Sequence, residues 1–174
     1  MRAENEAKLR KIRRMSSILG WVCRALLLLI VVGFGMVAVT LLVNRGGSIG
    51  YFDVWLRAGD LSHGQRLAVL ALSAATSAVW FLCVYQLHRL FGDYSAGEIL
   101  TRGSVGHLRW IGVASVFWGV VKIAWMGLGR ALSANPRGTL QVTAETIPIG
   151  IVILIVAWFM DMAVDLQEEN ELTV

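Results

Sequence analysis

Cysteine is nearly absent from this 174-residue chain, and the two that occur, Cys23 and Cys83, stand far apart in apolar surroundings. With no CxxC and no pair in an aqueous segment, a disulfide framework and a thiol-exchange centre are excluded. Both read as small apolar core residues. Histidine is as sparse: His63, His88 and His107 each lack ligand partners at metal-binding spacing, so no metal is expected. The chain also lacks a G-x-S-x-G elbow, a Walker loop, an H-E-x-x-H helix and a carboxylate pair deep in an apolar run. These absences argue against an enzyme and imply no cofactor. Charged residues make up only 16%, and the basic ones do not interleave with aromatics as a nucleic-acid surface would. No direct nucleic-acid contact is expected.

What is plentiful is apolar sequence, 56% of the chain, and it is gathered into four blocks. Leu26–Val43 and Leu67–Leu87 carry no charge, Ile111–Leu128 carries only Lys122, and Ile147–Met160 is uncharged up to Asp161. A helix needs about 20 mostly apolar residues, rising 1.5 Å each, to cross ~30 Å of hydrocarbon. The blocks therefore predict a single domain over 1–174, all-α, an integral membrane four-helix bundle. Its spans cover about 18–43, 67–91, 108–130 and 147–166. The first apolar run is too long for the ~7–15-residue core of a secretory signal and is read as a retained helix.

Orientation follows from the basic residues. Arg2, Lys8, Arg10, Lys11, Arg13 and Arg14 precede the first span; with both termini inside, Arg89, Arg102 and Arg109 join them. The opposite side holds Arg45, Arg57, Arg66, Arg130 and Arg137. Because Lys and Arg are retained on the cytoplasmic side, both termini are expected in the cytoplasm. Residues 1–17, with Leu9, Ile12 and Met15 at helical spacing, read as an amphipathic lead-in that anchors the first helix or lies on lipid headgroups. Trp21 and Arg24 follow at the inner boundary.

Between the spans, "SIGYFDVWL" is too short to cross the bilayer and reads as a strand or interfacial helix. "TLQVTA", after the turn signal "NPRG", alternates like a strand that would pair with it. Small-xxx-small pairs (Ala71/Ala75, Ser73/Ser77, Ala74/Ala78, Ser115/Gly119) fit close helix packing, within the bundle or between copies in a homo-oligomer. Thr146 and Pro148 open the fourth helix as cap and first turn. Beyond the membrane, Asp161, Asp165, Glu168 and Glu169 form one acidic stripe. Acid at a helix C-terminus opposes the macrodipole, so a clasp with the basic residues 8–14 is expected, the alternative being a solvated face. Asp161 is also placed to pair with Arg24.

Lys122 is the one charge well inside a predicted span, about 21 Å along the helix from Leu108. Such a cation marks an ion path or anionic ligand by default, although its four methylenes can carry the ammonium to the outer headgroups. Together, Lys122 and Asp161 define the rival reading of a small transporter or channel subunit.

The richest polar stretch, "LHRLFGDYSAGEILTRGSVGHLRWIG", joins the second and third spans. Gly92 and Asp93 are expected to end the second helix. Thr101 then caps an amphipathic helix with Val105, Leu108 and Ile111 on one face. This is a cytoplasmic elbow lying along the membrane.

"GEILTRGSVGHLRWIG" resembles the G-E-[IV]-[FL]-T…LRxIGW segment of the domain-of-unknown-function 2975 family of small four-helix bacterial membrane proteins. "LQEENELTV" is similar to the same family's acidic close. Leu100 stands where Phe is commoner, and "RGSVGH" where a Glu-Asn pair and more arginines are usual. The resemblance spans the elbow, its adjoining helices, and the fourth helix with its tail. It implies the bacterial inner membrane and no established activity. It also implies a partner, since members are often encoded beside a small Cro/CI-type helix-turn-helix regulator. The expected function is sensing of a membrane state and its transmission to that regulator. Gly97, Glu98, Thr101, Arg102, Arg109, Glu168 and Glu169 are the candidate partner-binding residues, and Arg24, Lys122 and Asp161 the candidate intramembrane polar ones.

Overall fold

A computed structural model describes residues 2–43, 47–51, 54–96, 101–132 and 146–172, without the side chains at 2–14, 49–51, 54, 55, 132, 146, 167, 168 and 170–172. Four helices dominate it: α1 (Arg2–Leu42), α2 (His63–Ala96), α3 (Arg102–Leu132) and α4 (Thr146–Leu172). Each packs chiefly against its neighbour in sequence, α1 on α2, α2 on α3 and α3 on α4. Met15–Leu42, His63–Ala96, Arg102–Ala131 and Ile147–Leu166 are each long and apolar enough to cross a membrane. The surface agrees: Leu28, Leu29 and Met36 on α1, Phe117 and Val120 on α3, and Val152 and Phe159 on α4 all face outward. Apolar side chains turned outward along every helix are stable only in hydrocarbon, where each helix satisfies its own backbone hydrogen bonds. The chain is a multi-pass membrane protein.

Three boundaries differ from the sequence expectation. The second helix begins at His63 rather than near residue 67, because Ser62 and Gln65 form a capping box. Ser62 N–H donates to Gln65 Oε1 at 2.8 Å, and Gln65 N–H donates to Ser62 Oγ at 3.4 Å. At the other end α2 runs through Gly92 and Asp93 to Ala96. One glycine costs a helix about 1 kcal/mol, too little to end a long packed one, and Asp93 gains contacts described below. Likewise α3 starts at Arg102 and continues without a break into the apolar span, so 102–109 is not a separate membrane-parallel helix.

The segment between α1 and α2 also differs. Strands β1 (Ser48–Tyr51) and β2 (Val54–Arg57) form one antiparallel hairpin, with Ser48 opposite Arg57 and Tyr51 opposite Val54. "SIGYFDVWL" thus pairs with itself, which requires closing a far shorter loop than pairing with a strand some eighty residues on. Residues 139–144 lie outside the described residues. Beneath the hairpin sits the core: Leu41, Leu56, Leu61, Val69, Val79, Ala114, Val121 and Trp125. Trp125, only 1% exposed, donates its indole N–H to Thr76 Oγ1 at 2.8 Å and so ties α3 to α2. Trp80 and Trp118 meet edge-on, with centroids 5.3 Å apart, across the same interface.

Glycines set the α3–α4 crossing. A Cβ on Gly150 would stand 2.9 Å from the Val116 backbone nitrogen and 3.0 Å from the Gly112 carbonyl. One on Gly112 would stand 2.8 Å from Leu154, and one on Gly119 would collide with Ile147. Small residues let backbones approach closely in lipid, where packing rather than hydrophobicity drives association. Gly119 was a sequence candidate for this role. Gly112 and Gly150 were not, and they carry the closest approach.

Candidate functional site

Polar side chains gather at the end of the bundle opposite the hairpin, where α2 finishes, α3 starts and α4 emerges. Thr101 opens this site as the cap of α3. Ser104 N–H donates to Thr101 Oγ1 at 3.3 Å and Val105 N–H to the Thr101 carbonyl at 3.1 Å. The two hydroxyls of Thr101 and Ser104 lie 3.1 Å apart, with Ser104 fully buried.

The antiparallel register set at the glycine crossing then brings two arginines of α3 against two aspartates of α4. Arg109 Nη2 donates to Asp161 Oδ2 at 2.8 Å, and Arg102 Nη2 to Asp165 Oδ1 at 3.2 Å. Moving along α3 from the crossing, through Arg109 to Arg102, is matched by moving along α4 through Asp161 to Asp165. Asp161 therefore pairs with Arg109, not with Arg24. The acidic stripe is accommodated at these two positions by α3, whose arginines the helix register places nearest. The expected clasp with residues 8–14 rests on side chains outside the described set. Side chains in the two pairs are 39–66% exposed, so solvent screens them strongly. A double-mutant cycle of Arg109→Gln with Asp161→Asn is expected to give a coupling of about 1 kcal/mol or less in detergent unfolding.

A third contact joins α2 to α3. His107 Nδ1 lies 2.7 Å from Gln86 Oε1, and its Nε2 lies 3.7 Å from Asp93 Oδ2. Asp93 also reaches the first turn of α3, since a Cβ on Gly103 would stand 4.0 Å from Asp93 Oδ2. A carboxylate there complements the positive end of the helix dipole. Sequence reasoning missed Gln86, Asp93 and His107 as a group. They carry no motif and meet only when the α2–α3 pair closes.

The remaining candidates fall elsewhere. Arg24, on α1, donates from Nε to His88 Nε2 at 3.5 Å and lies over the Trp21 ring. Lys122 is half-buried on α3, thirteen residues beyond Arg109 and so about 20 Å away by helical rise. The structure does not bring it to Asp161. Glu169 is exposed on α4. Gly97 and Glu98 lie outside the described residues, as does the side chain of Glu168. Cys23 and Cys83 are free thiols, and no group of three or more metal-ligating side chains occurs among the described residues.

A family model described as "Protein of unknown function (DUF2975)" matches residues 54–174, which takes in the hairpin's second strand, α2, α3, α4 and the arginine–aspartate pairs but leaves out α1 with Arg24. Neither a curated protein nor a solved structure matches the chain.

Proposed function

The chain belongs to the DUF2975 family of proteins of unknown function, and from that premise we propose a non-enzymatic regulatory protein of the bacterial inner membrane. Both termini lie in the cytoplasm. The polar end transmits a membrane or envelope state by docking a small soluble transcription regulator of the Cro/CI type. Supporting this orientation, the basic residues before the first span belong to the same end as Arg102 and Arg109.

The observation that carries the proposal is the exposed arginine–aspartate ladder of α3 and α4, Arg109–Asp161 and Arg102–Asp165. Exposed ion pairs contribute only ~0–1 kcal/mol each, so a partner presenting charges of its own can exchange with them at little cost. The glycine crossing, by contrast, is closely packed. Arg102 lies ten residues from Gly112, about 15 Å along the helix, so a small rotation at the crossing separates or closes the ladder. A regulator that binds one of these two arrangements better than the other is held in one membrane state and released in the other.

Affinity purification of the full-length protein from detergent extracts tests this. The expected result is repeated recovery of a DNA-binding protein from wild type and its loss from R102E/R109E. Repeated recovery of none from wild type contradicts the proposal.

A further inference from the structure

The two halves of the polar end carry charge differently. On α3 and α4, Arg109 and Arg102 are each matched by an aspartate. On α1 and α2, Arg24 and Arg89 are both exposed, and neither has a carboxylate partner among the described residues. Each guanidinium lies over an aromatic ring instead, Arg24 at 5.2 Å from the centroid of Trp21 and Arg89 at 5.9 Å from that of Tyr85. Arg24 has one further contact, to His88 at 3.5 Å, the outer limit of a hydrogen bond. A guanidinium offers five N–H donors in a planar fork, so most of both forks lack an acceptor among the described residues.

Helix packing sets these two cations at one level. A Cβ on Gly20 would lie 3.7 Å from the His88 ring, so α1 comes close to α2 there. His88 precedes Arg89 directly and receives Arg24. Trp21 and Tyr85 are 68% and 39% exposed, as rings at the headgroup level are. Towards the hairpin from this point the surface is apolar: Leu26 and Leu29 on α1, Phe81 and Leu82 on α2, all exposed.

We infer that this α1–α2 face binds the phosphate of an anionic lipid headgroup, with Arg24 and Arg89 as its donors. A soluble phosphate would use the same two forks. The occupant is a lipid because the apolar surface beneath the arginines accepts acyl chains. Basic pockets between membrane helices hold anionic headgroups in this way, and a guanidinium fork matches a phosphate. The inference stands apart from the regulator proposed above, since it uses neither Arg102 nor Arg109.

The test uses the purified full-length protein in neutral detergent, with bound lipid measured by native mass spectrometry. Phosphatidylglycerol is expected to be retained at least fivefold over phosphatidylcholine, and R24Q/R89Q to reduce that preference to below twofold. R102Q/D165N is expected to keep it. Inorganic phosphate at about 10 mM, roughly ordinary buffer strength, is expected not to displace the lipid, because a free anion lacks the acyl-chain contacts, worth ~0.8 kcal/mol per buried CH2, that the lipid adds to the same two forks. Equal retention of the two lipids by wild type overturns the inference without any variant. So does full preference in R24Q/R89Q, and so does displacement by inorganic phosphate, which identifies a free-anion site.

Discussion

Gly150→Leu is expected to break the α3–α4 pair and cost about 3 kcal/mol or more, the upper range for forced overpacking. The atoms in the way are backbone: the Val116 nitrogen at 2.9 Å and the Gly112 carbonyl at 3.0 Å from an added Cβ. Neither can move without shifting α3. Gly127 provides the contrast, since a Cβ there meets nothing within 4 Å. Gly127→Leu is expected to be neutral or to stabilise by up to about 1 kcal/mol, from helix propensity alone. Unfolding in SDS, followed by tryptophan fluorescence, measures both. Because the crossing sets the register of the arginine–aspartate ladder, Gly150→Leu is also expected to abolish the Arg109–Asp161 coupling.

Trp125→Ala is expected to be the other severe change, at about 3–5 kcal/mol for a large aromatic removed from a packed site. Trp125 is buried among Val121, Val79 and Leu41 beneath the hairpin, and its indole N–H is tied to Thr76. Trp125→Phe keeps most of the volume and loses the hydrogen bond, leaving the Thr76 hydroxyl without that donor at an expected cost of about 1 kcal/mol. Adding Thr76→Val to Trp125→Phe is expected to recover part of this loss, because it removes the orphaned hydroxyl. Thermal unfolding of the four proteins in one detergent checks the series.

Both sensitive points lie where helices meet, and there the sequence was least legible. The four spans were plain from their apolar blocks, since hydrocarbon thickness dictates a length that few soluble elements share. The α3 cap at Thr101 was legible from its position before an amphipathic run. The start of α2 could also have been read, because Ser62 and Gln65 have capping-box spacing. Its end could not: Gly92 and Asp93 look like a break until α3 supplies His107 and Gly103 as neighbours for Asp93.

The ladder was half legible. Arg102 and Arg109, two turns apart, and Asp161 and Asp165, one turn apart, were each singled out from the sequence. Charge alone assigned the acidic side chains to the denser basic cluster at 8–14 and to Arg24. Distance decides such pairings, and distance depends on the α3–α4 register, which Gly112 and Gly150 set through contacts that leave no local pattern. Arg24, released from Asp161, lies against Trp21 and His88 instead. That is what exposes the unmatched charge on the α1–α2 face.

The regulatory reading and the lipid site both use the polar end from one side of the membrane, so its orientation is the central claim. Single cysteines at Ala96, the last residue of α2, and at Ser48, the first of the hairpin, report it directly in a background with Cys23 and Cys83 replaced by alanine. Intact cells are treated with a membrane-impermeant maleimide before and after permeabilisation. The account predicts that the Ser48→Cys protein is labelled in intact cells and the Ala96→Cys protein only after permeabilisation. Labelling of Ala96→Cys in intact cells, with Ser48→Cys protected, would place the ladder outside the cytoplasm and contradict it.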